Sequence, residues 1–437
     1  MRIGIMPGLD PSGGGVYQYS LTMLRALHEW KERRGGEDDI VILAGKPSHP
    51  ILSSLNGRNW TVIPLENPPP PSRQMLNLLR RAVGEGPHRQ AWRWLREATH
   101  HRQTSAVNPD MVRAHPDVTA RFLQSRAELM LYPVPQSLSF EVGIPYVMAI
   151  HDLQHRLQPE FPEVSANGEW ELREYLFRNG ARYATLLLAD SDVGKEDIIQ
   201  FYGPYGVTPD RIKVLPFLPA CYLGLEVSEN KRQDIRTRYQ LPERYLFYPA
   251  QFWPHKNHVR IVQALGLLKQ RHHVKIPAVF CGSHSGGIRD GNFKETMSFA
   301  ARLGLEKEIH YLGYVPDEDI AGIYAAAVAL VMPTFFGPTN IPILEAWGFG
   351  CPVLTSDIRG IREQVQDAAV LVNPRSVESI ADGIYRLWTD GNLTSKLADL
   401  GRHRLASYTT DDYERRLAAI LEEAKSCVRS QNLRSAS

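Results

Sequence analysis

The sequence predicts two α/β domains, each a doubly wound parallel sheet. The chain has 437 residues, more than one ordinary hydrophobic core accommodates. In both halves, short apolar segments alternate with stretches of helical periodicity, and this alternation favours parallel sheets covered by helices. The charged segment 226–243 lies between the two alternating regions and is interpreted as their linker.

The first region starts at the N-terminus, where an apolar strand at residues 3–6 leads into a turn-rich loop and a helix at 16–30. Further strands are predicted at 40–44, 61–64, 129–132, 145–150, 185–189 and 213–215, and helices at 169–179 and 192–201. We assign residues 1–222 to this domain.

An insertion at about residues 67–118 interrupts the alternation. It starts with four prolines and continues with seven arginines and two tryptophans, and only Glu85 and Glu97 oppose this charge between Arg73 and Arg102. We interpret it as a helical hairpin or lid. A solvated helix face is one interpretation, and a surface for an anionic acceptor or for membrane headgroups is the other.

The second region follows the linker and forms a predicted domain at 223–405. Strands are expected at 246–250, 278–281, 309–312, 329–332, 352–355 and 369–372. Helices are expected at 257–270, 293–303, 317–325, 341–348, 377–389 and 393–406. A last helix at 411–427, within a segment 406–437 that returns to the first domain, precedes a tail from 429 that we expect to be frayed.

Bulk properties exclude several classes of function. The net charge of +2 argues against a nucleic-acid binder, which needs a basic face. No apolar run reaches the roughly 20 residues of a membrane span. The four cysteines are far apart and form no C-x-x-C motif, so they are interpreted as reduced residues of a cytoplasmic protein. Any membrane contact is therefore expected to be peripheral.

The most informative stretch is Gly337-Pro-Thr-Asn-Ile-Pro-Ile-Leu-Glu345, a loop after a predicted strand that leads into a helix. Loops at the carboxyl ends of parallel strands bind ligands, and a helix N-terminus suits a phosphate. Glu345, one turn into that helix, can accept hydrogen bonds from a ribose diol. The alternative interpretation makes Asn340 a helix cap and Glu345 an exposed helix residue.

Three further loops follow predicted strands. Lys256 can place a compact positive charge on a diphosphate leaving group, or is an ordinary surface lysine. The three glycines of Pro11-Ser-Gly-Gly-Gly15 allow close approach to a ligand. Their spacing matches neither the dinucleotide motif nor the P-loop motif. His151 can hydrogen-bond a sugar, or is a structural histidine. The two D-x-D matches, Asp190-Ser-Asp192 and Asp317-Glu-Asp319, are interpreted as helix starts rather than metal sites.

Taken together, these features resemble the retaining glycosyltransferases called glycosyltransferase family 4, which have the GT-B fold of two Rossmann-like domains facing across a cleft. The family signature, about E-G-F-G-L-P-V-L-E-A-(x)₄-G-x-P-V, appears as Gly337 to Ala346 followed by Gly350-Cys-Pro-Val353. Weaker matches are Gly14-Gly15-Val16, Gly313-Tyr314-Val315, the histidine at 151, and Ala250-Gln251 with Lys256-Asn257. The resemblance covers most of the chain.

The resemblance implies an enzyme that uses a GDP- or UDP-linked hexose as donor, with no metal and no other cofactor. It implies catalytic roles for His151, Lys256 and Glu345. It implies donor contacts by Gly14, Gly15, Gln251, Tyr314, Val315, Gly337, Thr339, Asn340, Ile341, Pro342 and Glu345. The implied acceptor is a glycan or a lipid-linked oligosaccharide, as in a mannosyltransferase of polysaccharide biosynthesis, and the implied chemistry is front-face transfer with retained configuration.

Two departures from the family pattern are visible. The family pairs two glutamates, and the first of them is Gly337 here; its diphosphate-binding arginine is Gln251 here. The donor-sugar contacts must therefore differ, and one charge is lost from the diphosphate site. Since the motif is orderly around both positions, a subfamily variant is expected. The alternatives are a catalytically silent nucleotide-sugar-binding subunit and, among enzymes, a GT-B epimerase or a phosphorylase.

Overall fold

The computed structural model describes residues 1–34, 37–45, 48–55, 59–65, 108–219 and 228–436. Within these ranges the chain forms two sheets whose neighbouring strands are all parallel. The first has seven strands in the order β3-β2-β1-β4-β5-β6-β7, and the second has six in the order β10-β9-β8-β11-β12-β13. In each sheet the order reverses beside the first strand, which creates a crevice at the carboxyl ends of β1 and β4 and of β8 and β11.

The first domain contains the N-terminal sheet and its helices. Its strands are β1 (Arg2–Ile5), β2 (Asp39–Ala44), β3 (Trp60–Pro64), β4 (Leu129–Tyr132), β5 (Tyr146–Ala149), β6 (Leu186–Ala189) and β7 (Ile212–Val214). Its described helices are α1 (Gly15–Arg34), α2 (Pro50–Ser54), α3 (Pro116–Gln124), α4 (Leu138–Glu141), α5 (Gln154–Leu157), α6 (Pro162–Ser165), α7 (Glu169–Tyr183) and α8 (Asp192–Tyr202).

The central strands of this sheet are apolar on both faces because helices cover both. Along β4, Leu129 and Leu131 enter one hydrophobic core with α1, whereas Met130 and Tyr132 enter the other with α7. All four side chains are fully buried. The period of two along an extended strand thus divides one apolar run between two cores, which is the pattern of a buried parallel strand.

The second domain repeats this arrangement. Its strands are β8 (Leu246–Pro249), β9 (Ala278–Cys281), β10 (Ile309–Tyr311), β11 (Ala329–Met332), β12 (Val353–Ser356) and β13 (Val370–Val372). Its helices are α9 (Glu229–Arg238), α10 (His258–His272), α11 (Gly287–Arg302), α12 (Asp317–Ala326), α13 (Ile341–Gly348), α14 (Ile361–Val365), α15 (Val377–Thr389) and α16 (Gly391–Ala406).

The C-terminal helix α17 (Thr410–Ala436) packs on the first domain. Its apolar residues recur at helical spacing and enter the core beside α1, namely Tyr413, Leu417, Ile420, Leu421, Ala424 and Val428. Lys425 adds an ion pair with Asp38 at 2.6 Å, and Asp38 also accepts from the N-terminal ammonium at 3.0 Å. We predicted that the tail from residue 429 is frayed. This prediction is wrong, because the helix continues to Ala436.

The predicted strands all lie within one residue of the observed ones. The helices are less accurate at their ends; α11 begins six residues before the predicted start, since Gly287 and Gly291 weaken the helical pattern there. The expected linker contains helix α9. Most of the predicted insertion, residues 66–107, lies outside the described residues. Among the described helices, none is long and apolar enough to cross a bilayer.

Truncation of a buried residue of α17 should destabilise the first domain. Leu417 is 1% exposed, so Leu417→Ala should lower the free energy of unfolding by about 2–5 kcal/mol. Leu433, 74% exposed on the same helix, is the matched control, and Leu433→Ala should change stability by less than about 0.5 kcal/mol. Urea unfolding of both variants decides the matter; equal midpoints would contradict the packing of α17.

Candidate functional site

The crevice of the second sheet brings two of the predicted loops together. Strands β8 and β11 are neighbours that pair in parallel, so the loops after Pro249 and Met332 leave the sheet side by side. Asn257 ties the two loops, because its side-chain amide donates to the carbonyl oxygens of Pro333 at 2.7 Å and of Pro374 at 2.9 Å. The segment 250–257 and the segment 333–340 therefore form one wall of the cleft.

Gly337 has a backbone conformation that other residues rarely adopt. Its φ is +135°, and a β-carbon built there would lie 2.6 Å from the side-chain nitrogen of Asn340. The Asn340 amide donates back to the Gly337 carbonyl at 3.4 Å. A side chain at residue 337, including the glutamate that the family pattern has there, would be strained in this loop and would displace the Asn340 side chain.

Asn340 is the N-cap residue of α13, but its side chain makes no capping hydrogen bond. Gln364 instead holds its backbone from both sides: the Gln364 carbonyl accepts from the Asn340 N–H at 2.9 Å, and the Gln364 amide donates to the Asn340 carbonyl at 3.0 Å. The interpretation of Asn340 as an ordinary side-chain cap is therefore wrong. Ile341 and Pro342 continue directly into the first turn of α13.

Glu345 is buried, and its interpretation as an exposed helix residue is wrong. Its carboxylate is on the fifth residue of α13 and accepts from the Tyr324 hydroxyl at 2.9 Å. Only 6% of the residue is exposed. A carboxylate held in this way beside the crevice is oriented before any ligand arrives, which suits hydrogen bonding to a diol.

Lys256 lies at the end of a short 3-10 turn, Pro254–Lys256, directly before α10. Burial lowers the pKa of Lys256 to about 8, although the charges of Asp152 and Glu163 act in the opposite direction. The side chain is thus shielded from bulk solvent rather than an ordinary surface lysine. An ammonium in this setting interacts strongly with an anion, because little water screens it.

Gly14 and Gly15 bring the first domain to the opposite wall. A β-carbon at Gly14, whose φ is +60°, would lie 3.6 Å from the Gln251 side-chain nitrogen. A β-carbon at Gly15 would lie 3.7 Å from the Ile341 side chain. The glycine loop after β1 thus faces the second domain at Gln251 and at the start of α13.

His151 follows β5, and its Nε2 lies 2.9 Å from the Pro133 carbonyl oxygen. Because a carbonyl only accepts, Nε2 donates and Nδ1 is the acceptor in the neutral ring. Burial lowers the pKa of His151, which favours that neutral form. The Tyr19 ring packs edge-on at 4.7 Å. One nitrogen is therefore structural, and Nδ1 is left as the atom available to a ligand.

Asp190 makes a contact across the cleft that sequence reasoning missed. It follows β6, is 4% exposed, and accepts a hydrogen bond from the Thr339 hydroxyl of the second domain. Burial raises the pKa of Asp190 to about 7, with a further contribution from the charge of Asp152. Nothing in the sequence pairs residues 149 positions apart, so only the D-x-D match drew attention to Asp190.

The D-x-D carboxylates have protein partners in the structure. Ser191 caps α8 through a hydrogen bond from the Gly194 N–H at 3.1 Å. Asp317 accepts from Gln18 of the first domain at 3.1 Å, and Asp319 accepts from Arg238 at 2.8 Å. In the part of the chain that the structure describes, no cluster of three or more His, Cys, Asp or Glu side chains forms a metal site.

Other polar contacts hold the domains in a closed arrangement. His255 donates to Glu163 at 2.6 Å, and the Gln158 amide donates to the Phe335 carbonyl at 2.8 Å. Burial disfavours ionisation of Glu163, but the hydrogen bonds and charge of His255 outweigh it and lower the pKa of Glu163. At the far side, Arg359 pairs with the buried Asp197 of α8 at 2.6 Å.

Comparison with known proteins identifies the second domain. Residues 231–404 match the family described as Glycosyl transferases group 1. This part of the chain is a group 1 glycosyltransferase domain. The match includes the segments around Lys256, Gly337 and Glu345. It confirms the family that the sequence motifs resemble.

Two Escherichia coli proteins show similarity in sequence. O-antigen chain mannosyltransferase B is 32% identical over 208 residues, which are 47% of this chain and 52% of that protein. Serotype-specific mannosyltransferase WbdA is 21% identical over 240 residues, 54% of this chain and 29% of that protein. The chain spans about half the length of the first relative and less of the second.

A solved structure of another protein is similar in fold to this chain over most of its length. Anabaena HepE in complex with UDP and glucose superposes with a TM-score of 0.67 at 18% identity, covering 97% of this chain and 99% of that one. With two parallel sheets facing across a cleft, the protein has the GT-B fold, and the predicted fold class is confirmed.

Within the group 1 domain, the remaining predicted residues have different surroundings. Tyr314 is 74% exposed after β10, whereas Val315 is buried. Gln251, in place of the family's arginine, accepts hydrogen bonds on its carbonyl oxygen from Trp253 at 2.9 Å and from Arg289 at 2.8 Å. Arg289 belongs to α11 and was not singled out from the sequence, because it lies in no recognised motif.

A side chain at residue 337 should disrupt the loop of the group 1 domain. Gly337→Ala introduces a strained φ and a clash with Asn340, and should cost about 1–3 kcal/mol of stability. Gly391→Ala is the control, since a β-carbon there meets nothing within 4 Å. Chemical denaturation measures both; a Gly337→Ala variant as stable as the control would show that the loop is relaxed at this position.

Stability should depend on the protonation of Asp190. Because the pKa of Asp190 is raised to about 7 from 3.8, the folded protein binds the extra proton between about pH 4 and 7, and this contribution to stability is lost as pH rises through 7. The stability of Asp190→Asn relative to the wild type should therefore increase as the pH rises from 5 to 8. The increase is at most about 1.4 kcal/mol for each unit by which the pKa of Asp190 is raised.

The control for this effect is Asp192→Asn, the same change at an exposed neighbour. Its difference from the wild type should stay nearly constant over the same pH range. Urea titrations at several pH values measure both, and a pH-independent effect of Asp190→Asn would exclude an elevated pKa at Asp190.

Proposed function

We propose that the protein transfers a hexosyl residue, with retention of configuration, from a GDP- or UDP-linked sugar to a glycan or lipid-linked oligosaccharide during assembly of a cell-surface polysaccharide. The observation that carries this proposal is the position of Lys256 and Glu345. Glu345 is buried and Lys256 is half-buried at the crevice of a group 1 glycosyltransferase domain, and a glycine loop of the other domain faces Gln251 and Ile341 beside them.

In this proposal the donor binds under the second domain. The Glu345 carboxylate, held by Tyr324, accepts hydrogen bonds from the ribose diol of the nucleotide. The Lys256 ammonium and the first turn of α13 at Ile341 stabilise the charge that develops on the leaving diphosphate. The backbone at Tyr314 and Val315 meets the base. No metal is assigned a role; Asp190, Asp317 and Asp319 of the D-x-D matches accept from Thr339, Gln18 and Arg238.

The acceptor enters from the first domain, past Gly14 and Gly15. His151 presents Nδ1 as an acceptor, which suits a donor-sugar or acceptor hydroxyl near the reaction centre. A donor phosphate oxygen assists deprotonation of the acceptor hydroxyl on the front face. The cross-cleft contacts of Asp190, Glu163 and Arg359 favour the closed form, in which water is kept from hydrolysing the donor.

Mannose is the first sugar to test, since O-antigen chain mannosyltransferase B is the relative with 32% identity. The base is a separate question, because the neighbouring fold of HepE is known with UDP and glucose. The Gly337 loop has a glycine where the family has its acidic sugar contact, so sugar hydroxyls are expected to meet main-chain groups and Thr339 at this end.

A catalytically silent nucleotide-sugar-binding subunit is the second candidate. The same loop favours it, because residue 337 carries no acidic side chain while the buried Glu345 and the half-buried Lys256 remain. The two candidates differ in one measurable respect. A silent subunit binds a nucleoside diphosphate but releases none from a nucleotide sugar on any acceptor.

A panel of nucleotide sugars tests the proposed function. GDP-mannose or another GDP- or UDP-hexose should raise the melting temperature, because binding to the folded state stabilises it by mass action. With an acceptor preparation, that donor should release its nucleoside diphosphate. Lys256→Met should lower the transfer rate about a hundredfold or more, and Glu345→Gln should weaken donor binding about tenfold.

Glu306 and Lys307 are consecutive, exposed residues of the same domain, and they provide matched controls. Glu306→Gln and Lys307→Met should behave as wild type in both assays. No thermal shift with any donor would refute the donor site. Binding without nucleotide release would favour the silent subunit.

A further inference from the structure

Arg289 has an unusual electrostatic environment for a partly buried arginine. Among the described residues it pairs with no carboxylate, and its Nε is buried without a hydrogen-bond partner. Two other arginines of the second domain are neutralised: Arg238 pairs with Asp319 at 2.8 Å, and Arg359 pairs with Asp197 at 2.6 Å. A desolvated guanidinium is costly unless an anion compensates it.

The nearest carboxylate on the same helix is turned to other partners. Asp290 pairs with Lys294 at 2.6 Å and with His284 at 3.5 Å. The hydrogen bond and charge of Lys294, with those of His284, lower the pKa of Asp290. Asp290 therefore does not supply the missing negative charge to Arg289.

Aromatic and backbone contacts hold Arg289 in place. Its guanidinium lies over the Trp253 ring at 4.7 Å. The loop after β9 packs closely on the loop after β8, since a β-carbon at Gly282 would lie 2.5 Å from the Ala250 carbonyl oxygen. Asn292 donates to the Phe252 carbonyl at 3.0 Å. The charge is thus fixed beside the segment that carries Gln251 and Lys256.

Arg289 also orients Gln251. The Gln251 carbonyl oxygen accepts from both Arg289 and Trp253, so the amide nitrogen points the other way. That nitrogen lies 3.6 Å from a β-carbon built at Gly14 on the opposite wall. Gln251 therefore lies between Arg289 and the glycine loop, with a positive charge directly behind it.

We infer that Arg289 supplies the second positive charge for the diphosphate of the donor and positions Gln251 beside that site. The inference rests on the proposed function, because the anion is the diphosphate of the nucleotide sugar. The charge comes from α11 rather than from the loop after β8. Lys256 and Arg289 then act on the same leaving group from two elements.

Calorimetry with GDP and UDP, each compared with its monophosphate, tests the inference. Arg289→Gln should weaken binding of the nucleoside diphosphate about tenfold or more, because a poorly screened positive charge beside the diphosphate is lost, and should reduce the preference for diphosphate over monophosphate. The control is Arg302→Gln at the other end of α11, where an exposed guanidinium lies over Phe299 at 4.1 Å. It removes the same charge and should stay within twofold of the wild type.

A second variant separates charge from packing. Gln251→Arg added to Arg289→Gln returns a guanidinium to the β8 loop and should recover diphosphate binding to within about threefold. Equal binding by Arg289→Gln and Arg302→Gln would overturn the inference, as would equal weakening of diphosphate and monophosphate. A wild type that binds neither GDP nor UDP would overturn the proposed function itself, which is a different result.

Discussion

Both parallel sheets of this protein end their strands at the same cleft, and polar groups at those strand ends meet across it. Asp190 after β6 meets Thr339 after β11, and Glu163 beyond β5 meets His255 after β8. Each contact is partly buried and satisfies polar groups that are poorly exposed to water in the closed arrangement. The closed arrangement and the geometry of the site therefore depend on these pairings.

Charge is distributed unevenly between the two walls. On the first domain, Asp152, Glu163 and Asp190 face the cleft, and burial holds the pKa of Asp190 near 7. On the second domain, Lys256 and Arg289 carry positive charge in poorly solvated positions. Such an arrangement binds an anion on the second wall and discourages it on the first, which agrees with a diphosphate held by the group 1 domain.

The variant motif of this chain has a coherent physical basis. Gly337 is required by a φ of +135° and by the close approach of Asn340, and Asn340 in turn is held by Gln364. Gln251 is accommodated because Arg289 and Trp253 both donate to it. Both changes are matched by contacts of neighbouring residues, so the two departures belong to a differently built site of the same fold.

Local patterns in the sequence were sufficient to predict the fold and the positions of the main loops. Apolar runs located every described strand, because strand burial in a parallel sheet is a property of consecutive residues, and the motif from Gly337 to Glu345 follows β11 at the crevice of the second sheet. The tertiary structure alone decided which residues share that crevice. Asp190 and Thr339 are 149 positions apart, and Arg289 reaches Gln251 from another helix, so no periodicity links them. The tertiary structure likewise decided that Glu345 is buried and accepts a hydrogen bond from Tyr324. The exposure of a helix residue depends on what packs against the helix, and the sequence of the helix does not specify it.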